Sequence, residues 1–264
     1  MGFQSTMIEA KRSLGQNFFV NENLAKSIVE SICQQKSDVI VEIGSGQGYF
    51  SSLFQKHGKK LIMIEKDNFL AKGLSEHYPE QEVVNTDFLE WDFEELEKYK
   101  SKKILFFGSL PYNVSKRIIS KIIESDFFNT SSYFIIQKEV GEKYSSEAPD
   151  MTFLALKTKP YAIPKKLFDI SPESFRPRPK VTSSLVEFSP QQERFFQTKE
   201  EEKLFTKFIN QAYKQPRKKL SNNLRNFFPK GEITTEKIEK LLEQRPQHLT
   251  LQEYIFLFSN TAKR

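Results

Sequence analysis

The stretch Asp38-Val-Ile-Val-Glu-Ile-Gly-Ser-Gly-Gln-Gly48 joins a short apolar run to a glycine-rich turn. The apolar part predicts a buried strand, and the following residues 49–57 have the pattern of a helix. Glycines let a ligand lie against bare backbone where a helix begins. A glycine-rich turn alone is not specific, because its first alternative is a dinucleotide site. The stretch predicts an α/β fold with a ligand site after this strand.

Strand and helix patterns alternate through the first 140 residues, which is typical of a doubly wound sheet with helices on both faces. The predicted strands are 38–43, 61–65, 82–87, 104–107 and 133–137, and the predicted helices are 23–35, 49–57 and 115–125. The β-rich runs 161–170 and 181–188 are expected to form an antiparallel hairpin that closes the sheet.

The segment Ser189-Pro-Gln-Gln predicts a linker between a domain of residues 1–189 and an all-helical domain of residues 190–264. Net charge is +6, with 40 Lys and Arg against 34 Asp and Glu, and residues 190–264 hold 15 against 9 of these. Residues 1–189 hold the other 25 Lys and Arg and 25 Asp and Glu, so this part of the chain has no net charge. A basic appendage indicates a nucleic-acid-binding module, although a solvated lysine-rich helical surface explains the charge equally well.

Composition indicates a soluble globular protein, with 38% apolar and 28% charged residues among 264. The apolar runs are too short for a membrane span, and the first residues lack a signal pattern, so we expect a cytoplasmic protein. A single cysteine, Cys33, excludes an internal disulfide. Three widely spaced histidines make a metal site unexpected.

Carboxylates end the next two predicted strands. Glu65 lies 17 residues after Gly48, where a carboxylate can accept both hydroxyls of a ribose and exclude a 2′-phosphate. Asp87 can accept from an adenine amine, with Phe88 beside it for the ring. Such a set fits S-adenosylmethionine, which has no pyrophosphate, better than a dinucleotide.

The fourth predicted strand ends in Gly-Ser109-Leu110-Pro111-Tyr112-Asn. This corner offers a hydroxyl, a backbone carbonyl and an aromatic face, which suit a flat base with an exocyclic amine. An ordinary proline-containing turn is the alternative for the corner taken alone. Its position after the glycine turn, Glu65 and Asp87 favours a methyltransferase that modifies an amine.

These motifs resemble those of the ribosomal RNA adenine N6,N6-dimethyltransferases, from about residue 11 to residue 260. The small-subunit (kasugamycin-resistance) branch is more similar than the erythromycin-resistance branch. The matching segments are 11–18 (KRSLGQNF), 42–48, Glu65, Asp87, 110–113 (LPYN), 137–140 (QKEV), 175–181 (FRPRPKV), 211–224 and 245–249 (RPQHL).

The resemblance implies a Rossmann-like class I methyltransferase that uses S-adenosylmethionine. With the strand-end residues, it assigns the cofactor contacts to Asn17, Phe19, Gly44, Gly46, Glu65, Asp87, Phe88 and Ser109. It assigns the chemistry to Ser109, Leu110, Pro111, Tyr112 and Phe175, with Tyr112 and Phe175 on either side of the target adenine.

The resemblance further implies that a monomer dimethylates two adjacent adenosines in a loop near the 3′ end of 16S rRNA within a 30S precursor. One departure touches the chemistry, because the family usually has asparagine where this chain has Ser109. The alternatives are large-subunit adenine methylation and a non-catalytic ribosome-assembly factor that binds RNA. A DNA adenine methylase is disfavoured, since the sequence shows no target-recognition insert.

Overall fold

The computed structural model describes residues 16–193, 195–229 and 235–261, which form two compact units. The first unit holds the described residues up to Gly141 together with Lys165–Pro190. The second holds Glu142–Pro164 and the described residues from Gln191 onward. This differs from the single predicted boundary between 189 and 190. Residues 142–164 belong to the second unit because their apolar side chains, such as Met151 and Leu156, lie in its core.

The first unit is built on a seven-stranded sheet of order β4-β3-β2-β5-β6-β9-β7. Strands β2 to β6 pair in parallel, and β9 runs antiparallel to β6. The strands are β2 (Val39–Ile43), β3 (Lys60–Glu65), β4 (Glu82–Asn85), β5 (Ile104–Ser109), β6 (Ser132–Gln137), β7 (Ala162–Ile170) and β9 (Ser183–Pro190). The prediction of an α/β fold with a mainly parallel sheet is confirmed.

The parallel strands read as apolar runs because both faces of the sheet are covered. All five residues of β2 are buried, and so are the first five of β5. Val41 lies level with Ile62 of β3 and Phe106 of β5, so the three strands end at one edge. This register brings the ends of separate strands together.

Ten helices lie within the described residues. They are α1 (Glu22–Cys33), α2 (Tyr49–Lys56), α3 (Asn68–His77), α4 (Ser115–Ile123), α5 (Lys138–Tyr144), α6 (Phe153–Thr158), α7 (Lys199–Ala212), α8 (Leu220–Asn223), α9 (Glu236–Leu242) and α10 (Leu251–Ser259). Polar side chains cap several of them: Asn21 accepts a backbone N–H of α1, and Asp67 accepts two of α3. Helices α3, α5 and α6 were not predicted from the sequence.

A second, two-stranded sheet joins β1 (Phe18–Phe19) to β8 (Phe175–Arg176) in antiparallel register. Phe19 lies opposite Phe175, and Phe18 lies opposite Arg176. Because side chains alternate across a strand, each pair shares one face. Phe19 and Phe175 face the core, where their ring centroids are 5.1 Å apart and nearly perpendicular.

The second unit has its own core, formed mainly by α6, α7, α9 and α10. Tyr254 of α10 is buried, and its hydroxyl donates to the Pro246 carbonyl at 2.8 Å. Thr250 and Glu253 form a capping box at the start of α10. The helical character predicted for the C-terminal part is thus present in the described residues.

The described part of the chain contains neither a candidate membrane span nor a candidate metal cluster. No helix there is long and apolar enough to cross a bilayer. No group of three or more His, Cys, Asp or Glu side chains there could hold a metal ion.

Candidate active site

A cleft opens at the carboxyl edge of the sheet, where strand order reverses between β2 and β5. Ligands of open α/β sheets bind at this kind of edge. Eight of the twelve residues predicted for the site line the cleft: Asn17, Gly44, Gly46, Glu65, Asp87, Phe88, Ser109 and Pro111. Three of the other four, Phe19, Leu110 and Phe175, are buried, and Tyr112 is half-buried beside the cleft.

The glycine turn forms one wall of the cleft. Gly44, Gly46 and Gly48 have φ values of 70°, 56° and 72°, which L side chains rarely adopt. A Cβ at Gly48 would lie 2.9 Å from the Tyr78 ring, whereas a Cβ at Gly44 would meet nothing within 4 Å. Gly48 is therefore required by packing. Gly44 leaves space beside the cleft that a ligand can fill.

Glu65 is held at the end of β3 by two backbone amides. Its Oε2 accepts the Gly46 N–H at 2.8 Å, and its Oε1 accepts the Asp67 N–H at 2.8 Å. Burial raises the pKa of Glu65, while these two hydrogen bonds act in the opposite direction. A carboxylate has about four acceptor positions, so each oxygen retains one for a ligand hydroxyl.

A second carboxylate, Glu42, lies buried one strand away. Its Oε2 accepts the Ser51 hydroxyl of α2 at 2.5 Å. Burial raises the pKa of Glu42 to about 7, against the hydrogen bonds from Ser51 and Ser45, and the nearby Glu65 charge adds to the rise. Apart from its place in the glycine motif, no sequence pattern distinguishes Glu42.

Asp87 is paired with a lysine that was not predicted for the site. Its Oδ2 lies 2.8 Å from Lys66 Nζ, and its Oδ1 accepts the Leu89 N–H at 2.9 Å. Partial burial acts to raise the pKa of Asp87, but the hydrogen bonds and charge of Lys66 and Leu89 outweigh it, and the pKa is lowered. Asp87 is therefore an ionised acceptor at the wall of the cleft.

A further lysine, Lys121 of α4, holds the loop that follows Asp87. Its ammonium donates to the carbonyls of Phe88, Leu89 and Trp91 at 3.1, 3.0 and 2.5 Å. It also lies 5.6 Å from the centre of the Phe88 ring. Burial lowers the pKa of Lys121, against the charges of Asp92 and Asp87. Because these partners lie some 30 residues away, no sequence spacing indicated the role.

The corner after β5 presents two unused acceptors. Ser109 Oγ makes no hydrogen bond with any residue that the structure describes, and the Leu110 carbonyl accepts none from those residues. The Pro111 carbonyl is occupied, because it accepts the N–H groups of Val114 and Ser115 at 3.2 and 3.0 Å. Of the two carbonyls predicted to receive an amine, Leu110 is therefore the available one. Its side chain is only 2% exposed, which anchors the corner.

Tyr112 is fixed by its hydroxyl, whose oxygen lies 2.7 Å from Ser183 Oγ at the start of β9. Burial raises the pKa of Tyr112, and the hydrogen bond with Ser183 opposes this rise. The phenol is thus neutral at physiological pH, and its ring is oriented from the hydroxyl end.

Two phenylalanines predicted for the site are buried in the structure. Phe175 was expected to sandwich the target adenine with Tyr112, but it is 2% exposed and packs on Phe19. Phe19, expected to contact the cofactor, is 5% exposed, and it lines a smaller cavity beside Gly44 and Ser109, while Phe18 lines both this cavity and the main cleft. The reason is the β1–β8 register, which turns Phe19 and Phe175 inward together.

Two solved structures share this fold. The 23S rRNA methyltransferase ErmE has a TM-score of 0.73, with 92% of this chain and 98% of that chain covered at 19% identity. A dimethyladenosine transferase from Plasmodium falciparum has a TM-score of 0.74, with 91% and 95% covered at 19% identity. Both likenesses show that the chain has the α/β fold of class I methyltransferases.

The chain belongs to the ribosomal RNA adenine dimethylase family, whose model matches residues 7–259. Among curated relatives, the ribosomal RNA small subunit methyltransferase A of Pelagibacter ubique is 35% identical over 95% of this chain and 96% of its own length. The protein of the same name from Malacoplasma penetrans is 35% identical over 85% of this chain and 81% of its own length. The protein is thus an rRNA adenine methyltransferase.

The family's methyl donor is S-adenosylmethionine, and the cleft fits it. Glu65 and Asp87 offer carboxylate oxygens with acceptor capacity to spare, and the space beside Gly44 is free of protein atoms. The hydrogen bonds that Glu65 accepts in the cleft come from the Gly46 and Asp67 amides, which leave its carboxylate as an acceptor for ribose hydroxyls.

Proposed function

We propose that the protein transfers methyl groups from S-adenosylmethionine to N6 of two adjacent adenosines in a loop near the 3′ end of small-subunit (16S) rRNA. The observation that carries the proposal is the pair of unused acceptors, Ser109 Oγ and the Leu110 carbonyl, at the strand end beside the cofactor cleft. The small-subunit assignment is supported by curated relatives named as ribosomal RNA small subunit methyltransferase A.

We assign the cofactor contacts to residues that line the cleft. Glu65 accepts the ribose hydroxyls, Asp87 accepts the adenine amine beside Phe88, and the Gly44–Gly46 backbone lies against the amino-acid end. Asn17 completes the wall from the N-terminal side. When bound, S-adenosylmethionine supplies a methyl group on a positively charged sulfur.

The acceptor residues work by positioning. An adenine amine is a poor nucleophile because its lone pair is delocalised into the ring. When Ser109 Oγ and the Leu110 carbonyl each accept a hydrogen bond from one of its two N–H groups, the nitrogen is held toward tetrahedral geometry with its lone pair facing the cofactor. The site needs no strong base, because the extra proton can leave to water once the methyl has been transferred.

The target base must leave its stack, which is least costly in an RNA loop. Tyr112 supplies a stacking face, and its bond to Ser183 keeps that face oriented. The burial of Phe175 argues against direct stacking from the other side. We assign Phe175 instead to anchoring β8 through the aromatic cluster.

The helical C-terminal part is assigned to holding the rRNA backbone. Residues 214–219 include Lys214, Arg217, Lys218 and Lys219, all exposed. Cations of this kind neutralise phosphates and make binding depend on salt. We propose a cytoplasmic monomer that acts on a 30S precursor.

The rival functions are separated by one experiment with labelled S-adenosylmethionine. Purified protein is incubated in parallel with unmethylated small subunits, large subunits and naked 16S rRNA. We expect transfer to the small-subunit sample. Transfer to large subunits alone would overturn the substrate assignment, and tight small-subunit binding without transfer would indicate a non-catalytic assembly factor.

A further inference from the structure

Tyr78, the residue that follows α3, contacts the glycine turn although it lies outside the lining of the cleft. Its side chain is 2% exposed, and its hydroxyl donates to the Gly48 carbonyl at 3.1 Å. Burial, followed by the charge of Glu42, raises the pKa of Tyr78 to about 12, so the hydroxyl keeps the proton that this hydrogen bond needs. Because Tyr78 and Gly48 are 30 residues apart, no local sequence pattern indicates this contact.

Gly48 connects this contact to the part of the turn that faces the cleft. The Gly48 N–H donates to the Ser45 carbonyl at 2.9 Å, and the Gly48 carbonyl also accepts the Ser52 N–H of α2 at 2.9 Å. Ser45 lies between Gly44 and Gly46, both of which line the cleft. A shift of Gly48 would therefore move the backbone of these two glycines.

The turn has two further anchors, and both come from the end of β3. The Gly44 N–H donates to the Ile64 carbonyl at 2.8 Å, and the Gly46 N–H donates to Glu65 Oε2 at 2.8 Å. Strand β3 leads into α3 and so to Tyr78, which means that one strand–helix pair holds the turn at three points. Of the two side chains among these anchors, only Tyr78 can be changed without altering the lining of the cleft.

Tyr78 is itself held rigidly. Its N–H donates to the Leu74 carbonyl at 2.8 Å, and its carbonyl accepts the Gln81 N–H at 3.0 Å. Its ring lies in the core of the first unit, so close to Gly48 that a Cβ there would be 2.9 Å away. A turn that is fixed before the ligand arrives loses little conformational entropy when the ligand binds.

We propose that Tyr78 is a positioning residue of the cofactor site, whose hydroxyl holds the glycine turn in the shape that receives the amino-acid end of S-adenosylmethionine. The inference rests on the proposed function, in which the Gly44–Gly46 backbone lies against that end of the cofactor. The ribose and the adenine are assigned to Glu65 and Asp87, which receive no hydrogen bond from the Tyr78 hydroxyl. Loss of this hydroxyl should therefore weaken the binding only of ligands that carry the amino-acid end.

The test is Tyr78→Phe, which keeps the buried ring and removes only the hydroxyl. Calorimetry compares S-adenosylhomocysteine with 5′-methylthioadenosine, which shares the adenosine and the thioether sulfur but lacks the amino-acid end. We expect the Kd for S-adenosylhomocysteine to rise roughly threefold to tenfold, the effect of one lost hydrogen bond, with the Kd for 5′-methylthioadenosine unchanged. In methyl transfer, the KM for S-adenosylmethionine should rise by the same factor at nearly unchanged kcat.

The matched control is Tyr254→Phe, which removes another buried hydroxyl that donates to a backbone carbonyl. Tyr254 lies in the core of the second unit, and its hydroxyl bonds the Pro246 carbonyl at 2.8 Å. Thermal unfolding should show similar losses of stability for the two variants. Tyr254→Phe should nevertheless bind both ligands as the wild type does.

The proposal is overturned if Tyr78→Phe keeps the wild-type Kd for S-adenosylhomocysteine. It is overturned equally if the Kd for 5′-methylthioadenosine rises as much, which would indicate a general structural role, or if Tyr254→Phe weakens binding to the same extent. Failure of the proposed function looks different, because the wild type would then transfer no methyl to small subunits while the two ligands could still be compared by calorimetry.

Discussion

Ser109 offers the cleft a hydroxyl where the family resemblance led us to expect the longer amide of asparagine. Its oxygen has no partner among the described residues, so a ligand amine has no internal competitor there. The neighbouring Leu110 carbonyl accepts no hydrogen bond from those residues either, while the Pro111 carbonyl accepts the N–H groups of Val114 and Ser115. The chemistry therefore depends on one side chain and one backbone group.

Replacing Ser109 with alanine removes one of the two amine acceptors. We expect kcat to fall about tenfold to a hundredfold, which corresponds to one hydrogen bond in the transition state, with no change in cofactor Kd. Single-turnover methyl transfer and calorimetric cofactor binding measure the two effects. Ser120→Ala, on the following helix and bonded to Glu124, is the control and should leave both unchanged.

Lys121 of α4 holds the loop proposed to bind the adenine by donating to three of its carbonyls. Lys121→Met keeps the aliphatic stem but removes the donors, so the loop that carries Asp87 and Phe88 loses its fixed position. We expect cofactor Kd to rise roughly tenfold with kcat at saturating cofactor nearly unchanged. Lys116→Met, an exposed lysine of the same helix, should have no effect, and an equal effect would contradict the assignment.

Glu42 makes stability depend on pH. Its pKa is about 7 in the folded protein and near 4.5 when unfolded, so the folded state retains the proton over a range where the unfolded state has lost it. The stability that this proton contributes is present below pH 4.5 and lost as pH rises through 7.

Between pH 5 and pH 8, Glu42 should therefore lower the free energy of unfolding by roughly 2 to 3 kcal/mol. Glu42→Gln, which keeps an oxygen for Ser51, should be less sensitive to pH by that amount. Urea unfolding of both proteins at several pH values measures the difference. Parallel pH profiles for the two proteins would contradict it.

The effect of Gly44, in the turn between β2 and α2, can be compared directly with that of Gly58, which follows α2. Gly44 and Gly58 have φ values of 70° and 68°, and neither would place a Cβ within 4 Å of another residue. Alanine at either position should cost about 1 to 2 kcal/mol of stability, from the left-handed backbone alone.

Only Gly44 lines the cleft, so only Gly44→Ala should weaken cofactor binding, by about tenfold. Gly58→Ala, at the end of α2, is the matched control for backbone strain. Thermal unfolding and cofactor titration of both variants separate the two effects. Equal losses of cofactor affinity would mean that the turn acts only through stability.

The strands that build the site could be predicted because buried parallel strands appear as apolar runs between glycines and charges. Helices α5 and α6 could not, because they are only 7 and 6 residues long and show too few turns of apolar periodicity. The two-residue strands β1 and β8 give no period at all. Their register decides that Phe175 faces inward, and no local pattern carries that information.

Contacts between distant elements could not be predicted either, because no local sequence pattern indicates them. Asp87 was predicted from its place at a strand end. Its ion-pair partner Lys66, however, lies 21 residues earlier in the chain, and Lys121, which holds the loop after Asp87, lies on α4. Charged side chains of this kind are usually solvated, so only the fold distinguishes them.

The chain as a whole divides into a sheet-based unit and a helical unit, and the second takes in residues 142–164 as well as the C-terminal part. The linker pattern at residues 189–192 indicated where the chain passes from the first unit to the second. The earlier segment of the second unit, residues 142–164, shows no comparable change in composition. Residues 142–164 hold three Lys against three Asp and Glu, so the net charge of +6 lies in the second unit just as it lies in residues 190–264.

The most direct measurement is mass spectrometric mapping of 16S rRNA after unmethylated small subunits are incubated with the protein and S-adenosylmethionine. The account predicts two adjacent adenosines near the 3′ end, each carrying two methyl groups on N6, and their loss with Ser109→Ala. Methylation of another base, or unmodified adenosines despite bound protein and cofactor, would contradict it.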